Sequence, residues 1–463
     1  MNAMAQNGAG RAIFVFTIMA ALLVMVGFLQ SWSVALTIIN LCIISAIMTL
    51  GVNIQWGYAG LFNVGTMGFA ALGGVAAVLV SKAPVGEAWA VGGVNLFYSL
   101  LMFVLTIAVV IFVRRKMAAG RLRLLAMFIV GLSGYFLIRI FYDPAVNAIE
   151  AVDSARFGYL GGMGLPVLLS WPVGGLFAAG AAWIVGKVAL GLRSDYLAIA
   201  TLGISEIIVA GLKNEDWLTR GVKNVTGLPR PVPYEIDLQV SPKFIEWVEW
   251  FNASALSSLA DAEKASALQK MIIQASTLFV KLSYAGLFSI VLIFILTLSV
   301  LALNSPWGRM MRAIRDNEVS SAAMGKDVNK RRLEIFIVGS IIMGIGGAAL
   351  ATSVRIFDPS GFLPLNHTFL IWVMVIMGGS GNNLGVIFGS IFVYIIYTVS
   401  EPATLIVFEA LQTYGKLWFD WDAPGDLMSR ALQMRVFIIG LTITLVLRYA
   451  PKGVLPEKVA QHG

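Results

Sequence analysis

The residues whose type and spacing could do chemistry in this chain are mostly basic, and they cluster. Between Asn304 and Arg332, Arg309, Arg312 and Arg315 recur at every third position, which sets guanidinium groups along one side of a short helix. Ser305-Pro306 has the form of an N-cap followed by proline at the first helical position. Asp316 or Asn317 can cap a second short helix, in which Val319, Ala322 and Ala323 share a face. Gly325 sits where a helix stop is expected. Two short helices with a small-residue face, held at a surface by arginines, are shaped to dock into something. A plain basic connector between membrane spans is the other reading, and the residues alone do not choose between them.

Other chemistries find few residues to use. Cys42 is the only cysteine and lies in an apolar run, and the two histidines are His367 and the near-terminal His462. No nucleophile, base or metal-ligand set converges, so no catalytic residue and no metal ligand are assigned. Glu206 lies near the middle of an apolar stretch. A carboxylate there costs about 2.5–3.5 kcal/mol on insertion scales, so it should face protein or water. It either pairs across a bundle or lines a path. Asn40, Asn53 and Thr201 have the same double reading, as path lining or as interhelical hydrogen-bonding groups. Clustered glycines at Gly57 and Gly60, and at Gly378, Gly379 and Gly381, flank stretches short enough to be broken spans. Irregular backbone at membrane depth survives only where protein buries it or where it lines a cavity.

The elements that must position these residues follow from composition. Of 463 residues 58% are hydrophobic and only 13% charged, about half the charge of a soluble domain, which excludes a water-soluble core and implies an all-α polytopic membrane protein. Apolar stretches of roughly spanning length recur at 12–30, 34–52, 67–82, 94–113, 122–141, 171–191, 195–213, 281–303, 333–352, 363–377, 383–400 and 431–450. Those at 67–82 and 363–377 are short of the roughly 20 residues a full span needs, so about 10–12 transmembrane helices are expected, some broken or re-entrant. The net charge of +8 reports orientation, with membrane lipid and not nucleic acid as its counterpart. Residues 114–123 carry five basic residues and no acid, 304–332 seven against three, and the tail after Leu447 three against one. These segments, and both termini, are expected on the cytoplasmic side. The largest piece outside the spans, residues 214–280, is expected on the outer face as an extended loop with a surface helix or two over 243–280.

Four stretches also resemble a known family, in the right order along the chain. The run Met311-Arg312-Ala313-Ile314-Arg315-Asp316-Asn317-Glu318-Val319-Ser320-Ser321-Ala322-Ala323-Met324-Gly325-Lys326-Asp327-Val328 is similar to the cytoplasmic coupling loop of branched-chain amino-acid ABC transporter permeases, of the larger permease subunit type found in high-affinity leucine, isoleucine and valine uptake. Gly57-Tyr58-Ala59-Gly60-Leu61-Phe62-Asn63-Val64-Gly65 resembles the signature after that family's second span. Residues 194–207, from Ser194-Asp195-Tyr196 through Thr201-Leu202-Gly203 to Glu206-Ile207, resemble its Asp-Tyr helix. Met377-Gly378-Gly379-Ser380-Gly381-Asn382-Asn383-Leu384-Gly385 resembles its glycine-rich turn. Asn224-Val225-Thr226-Gly227-Leu228-Pro229 fits a further loop motif, with Val225 at a usual glycine or isoleucine position. Two departures stand out: residues 232–280 are longer than the family usually carries, and the basic pair of spans over 94–141 is inserted.

The resemblance implies a type II-like ABC importer permease bundle, one transmembrane domain over 1–463, in the bacterial inner membrane. It implies that 304–332 is the coupling loop, with Arg309, Arg312, Arg315, Asp316, Asn317, Glu318, Val319, Ala322, Ala323, Met324 and Gly325 facing an ATPase. Candidate path residues are Gly57, Tyr58, Gly60, Thr201, Glu206, Gly378 and Gly379. The implied partners are a second related permease in a heterodimer, two ATPase subunits that hold the ATP and Mg, and a periplasmic substrate-binding protein. This chain itself would bind no cofactor and would not be an enzyme. Uptake of branched-chain or related hydrophobic amino acids by alternating access is the expectation. A permease for urea or short amides and an ion-coupled secondary transporter stay open as alternatives.

Overall fold

When lipid replaces water, every backbone N–H and C=O must pair within its own segment, so long apolar runs become helices. The computed structural model of the chain describes residues 8–154, 156–257, 260–421 and 424–457, which leaves His462 outside the described residues. In chain order the first helices are α1 (Gly8–Leu29), α2 (Trp32–Ala59), α3 (Thr66–Ser81), α4 (Gly86–Lys116), α5 (Arg121–Ala151), α6 (Ser170–Ala189) and α7 (Ser194–Asn214). Four short helices follow, α8 to α11 (Asp216–Thr219, Glu235–Val240, Pro242–Phe251 and Ala253–Ser257). The rest are α12 (Asp261–Asn304), α13 (Pro306–Asp316), α14 (Glu318–Ala323), α15 (Val328–Val354), α16 (Pro364–Gly378), α17 (Asn383–Phe419) and α18 (Leu427–Tyr449). Among the described residues ten helices are long and apolar enough to cross a membrane. The two short apolar helices are α3 and α16, of 16 and 15 residues, where the sequence has its short stretches. The fold is an all-α polytopic membrane bundle.

Small residues set the centre. α2, α3, α6 and α15 approach so closely that a Cβ on Gly73 would overlap the Gly344 carbonyl, and one on Gly347 the Ala70 carbonyl. Around that seam pack Ile47, Leu50, Phe69, Trp171, Phe288 and Phe336, all buried. α4 and α5 pack mainly on each other and, among the described residues, meet the bundle where Ala88, Ile149 and Leu160 form a small cluster against Trp217.

Several elements run past their expected ends, α12 and α17 furthest. Residues 261–280 belong to α12, which continues without a break to Asn304; only α10 and α11 are separate helices over 243–257, so the outer segment is shorter as a loop than its sequence suggests. α17 continues through Pro402 to Phe419. Proline removes one backbone bond, a loss that membrane helices tolerate.

Candidate functional site

The α13–α14 segment is built as two unlike halves. In α13, Met311 and Ile314 are 0% and 1% exposed, packed where α2, α12 and α15 converge. Burying two such side chains contributes about 1.5–3 kcal/mol each. The arginines of the opposite side turn back onto the preceding helix: Arg309 Nη1 donates to Asn304 O and Arg312 Nη2 to Leu303 O, both at 3.0 Å. They satisfy carbonyls left unpaired at the end of α12. Ser305 occupies the N-cap position as expected, yet its hydroxyl donates to Ala302 O at 2.6 Å instead of accepting from α13. The α12 terminus is one residue away and offers the open acceptors.

α14 is the exposed half. Asn317, not Asp316, caps it, accepting from Ser320 N at 2.9 Å. Gly325 closes it with φ +77°, a left-handed conformation glycine adopts without cost. Glu318 accepts two hydrogen bonds from Arg332, at 2.8 and 2.7 Å, a bidentate pair that fixes the helix against α15. What it presents outward is apolar: Val319 and Met324 are 79% and 80% exposed, with Ala322 and Ala323 exposed beside them.

The two glycine clusters meet at this segment. Arg315 Nη1 donates to the Gly57 carbonyl at the end of α2, and its stem packs over Gly60, whose φ is +69°. In the irregular stretch after Gly60, which is itself exposed, Leu61, Asn63 and Gly65 are buried. Asn63 Nδ2 donates to Gln55 Oε1 at 2.8 Å, and its carbonyl accepts from Trp372 Nε1 at 3.0 Å. Thr201 Oγ1 accepts from Val64 N at 3.0 Å, and Ser205 Oγ from Gly68 N at 2.8 Å. Asn53, 0% exposed, accepts from Gly381 N and donates to Asn383 Oδ1, both at 2.9 Å. Gly378 is in close contact with Gly385 across the α16–α17 turn, and Gly379 with Leu455.

The structure therefore brings Gly57, Tyr58, Gly60, Gly378 and Gly379 together with Arg315, and makes Asn53 and Thr201 bundle hydrogen-bonding groups. Asn40 has the same role, donating to Lys281 O at 3.0 Å. Glu206 stands apart. It is exposed on the outward face of α7 with Tyr196, Ile199, Gly203 and Ile207, and it makes no hydrogen bond or ion pair among the described residues. An apolar cleft of about 480 Å³, lined by α12 and α15 together with Ile54, Trp171 and Trp307, contains none of the candidate path residues.

The end opposite α13 is held by the Asn224–Pro229 motif. Strand β1 (Val225–Thr226) pairs antiparallel with β2 (Ile356–Phe357), Val225 opposite Phe357. Lys82, after α3, donates to Gly227 O at 3.1 Å. Burial, then the charges of Arg220 and Arg355, push its ammonium pKa down. The hydrogen bond from Arg230 holds Glu235 below the usual carboxylate range, while Tyr234 lies 4.4 and 5.4 Å from the guanidinium carbons of Arg230 and Arg355. The sequence signal for this assembly was the motif's turn residues, with Arg220 and Arg230 close by; Lys82 and Arg355 lie far along the chain.

Among the described residues, ten helices long and apolar enough to cross a membrane, several of them packed on a small-residue seam, define a multi-pass membrane protein. A family model described as the permease component of branched-chain amino acid transport systems matches residues 34–447, and the chain belongs to that family, which comprises transporter permeases and not enzymes. The high-affinity branched-chain amino acid transport system permease protein LivM of Escherichia coli is 27% identical over 267 residues, 57% of this chain and 56% of that protein. The probable branched-chain amino acid transport permease protein LivM of Methanocaldococcus jannaschii is 30% identical over 186 residues, 39% of this chain and 50% of that one. The chain thus spans about half the length of the curated relatives it matches. No solved structure matches it.

Proposed function

We propose that the chain is the membrane permease of an ATP-driven importer for branched-chain or related hydrophobic amino acids, coupled to its motor through α13 and α14. The observation that carries this reading is the contrast inside one short segment: α13 is rooted in the bundle while α14 holds Val319 and Met324 out at 79% and 80% exposure. An apolar tip on a basic, non-spanning segment is stable where a partner covers it. ATPase subunits holding ATP and Mg are that partner in this reading, with the segment on the cytoplasmic side of a bacterial inner membrane. ATP-driven closure of the two ATPases displaces α13, and the bundle exchanges outward for inward access.

Glu206 supports a second permease subunit. About 18 Å along a helix of about 31 Å, an exposed carboxylate facing lipid would carry the insertion cost in full. A related permease packed on this face of α7 would give it protein or water instead, and would place a path between the two subunits. A periplasmic substrate-binding protein would load that path from the outer end. The amino-acid class rests on the similarity to branched-chain amino acid transport permeases.

The test is Ala323→Glu. A bulky acid on the α14 tip is expected to abolish co-purification of the ATPases and to reduce uptake at least about tenfold, while the chain inserts at its normal level. Uptake that continues at the wild-type rate removes α14 from the docking surface.

A further inference from the structure

Glu457 stands where three elements meet. After α18 the chain folds back along the α16–α17 turn: Val454 and Leu455 donate their backbone N–H to the Met377 and Gly378 carbonyls, each at 2.9 Å. Asn382 Nδ2 donates to Leu455 O at 3.1 Å. Gly379, with φ +112°, lets this strand of chain lie flat, since a Cβ there would overlap the Leu455 carbonyl. The Glu457 carboxylate covers Gly381, 2.7 Å from where a Cβ would be. The same carboxylate accepts from Arg315 Nη1 at 3.0 Å, and Arg315 Nη1 also donates to Gly57 O. One acid thus joins the α16–α17 turn to the helix that also grips the α2 terminus.

We propose that Glu457 is a positioning residue for coupling: it holds Arg315 between the two glycine clusters, so that a displacement of α13 reaches the α2–α3 break and the α16–α17 turn together. The inference rests on α13–α14 being the docking segment. Asp316, the other acid on Arg315 at 3.0 Å, lies on α13 itself and moves with it. Without Glu457, Arg315 keeps its bond to Gly57, and the α16–α17 turn loses its side-chain link to α13. The pair is 24% and 22% exposed. Partly exposed pairs of this kind contribute about 1 kcal/mol or less to stability, so its loss separates coupling from folding.

The experiment reconstitutes the chain with its co-purified permease and ATPase partners in proteoliposomes and measures leucine taken up per ATP hydrolysed. Glu457→Gln is expected to lower that ratio about fivefold or more, the lower end of ordinary coupling energies, with the melting temperature and the quantity of bound ATPase at wild-type values. Glu457→Asp, which keeps the charge on a shorter stem, is expected to recover part of the ratio. A wild-type ratio in Glu457→Gln overturns the proposal. So does an equal loss in both variants accompanied by a lower melting temperature, which marks a structural role. Uptake by the wild-type chain with no ATPase present would overturn the docking reading itself, and this proposal with it.

Discussion

α15 and α4 are both apolar helices long enough to cross a membrane, yet 72% of the most apolar window of α15 is buried in the protein against 6% for α4. Apolarity does not separate them. Residue size does. α15 carries Gly339, Gly344, Gly346, Gly347, Ala348 and Ala349 on its packed side, whereas α4 runs Leu100-Leu101-Met102-Phe103-Val104-Leu105 with most of those side chains exposed. Lipid tails are as apolar as leucine, so hydrophobicity places a helix in the bilayer without choosing its neighbours; close van der Waals approach between small residues chooses them. The α4–α5 hairpin is accordingly a peripheral attachment, and the α2–α3–α6–α15 seam is the frame on which α13 and the glycine turns are mounted.

The most severe break of this contrast is Gly347→Leu. Its Cβ would overlap the Ala70 carbonyl, and neither backbone can withdraw without opening the seam. Overpacking of this kind costs about 1–3 kcal/mol or more, and backbone against backbone belongs at the upper end. The expected result is loss of monodisperse protein on detergent extraction, or a large fall in melting temperature. Phe103→Leu, in the exposed face of α4, is the matched control and should change neither. If Gly347→Leu extracts and melts as the wild type does, small-residue contact is not what orders the core.

A smaller effect is expected where the hairpin is fastened. Tyr142 of α5 donates its hydroxyl to Glu215, which also accepts from Trp217 Nε1 at 2.6 Å. Glu215→Ala strands the partly buried Tyr142 hydroxyl, worth about 1–3 kcal/mol, while Trp217 Nε1 keeps the Tyr142 oxygen as an acceptor at 2.8 Å. The loss should be local: faster proteolysis and hydrogen exchange over residues 83–165, with exchange in α15 unchanged. Loosening of both regions together would show that the hairpin is part of the frame after all.

Local chemistry was legible in the sequence, and distant pairing was not. The short spans at α3 and α16, the proline start of α13, the Asn317 cap and the Gly325 stop each depend on residues within a few positions of one another, so spacing reveals them. The same holds for the glycine clusters as interruptions. What those glycines contact could not be read, because Arg315 meets Gly57 and Glu457 across 258 and 142 residues. Glu206 shows the converse. Its cost in lipid was legible from position alone, while the face it occupies depends on how α7 is turned against α3 and α16. The continuation of α12 back to Asp261 was hidden by a mixed Ala/Leu/Glu/Lys composition that suits a surface helix equally well.

The smallest expected effect concerns the cover opposite α13, where polar contacts add to the packing of the buried Val225, Leu228 and Phe357. Arg230 holds the Glu235 pKa below its ordinary value, so the folded state favours the ionised carboxylate. The stabilisation is therefore complete at neutral pH, above the unfolded value of about 4.3, and it is lost as pH falls through the lowered folded value. With the Glu235 side chain 32% exposed, solvent screening keeps the contribution small. Melting temperatures of the purified chain and of Glu235→Gln, measured from pH 7 down to about pH 3, should differ slightly at neutral pH and converge in acid. A gap that stays constant across this range would mean the pair contributes no charge-dependent fastening. The cover would then be held by β1–β2 pairing, the Lys82 contact and the burial of Val225, Leu228 and Phe357.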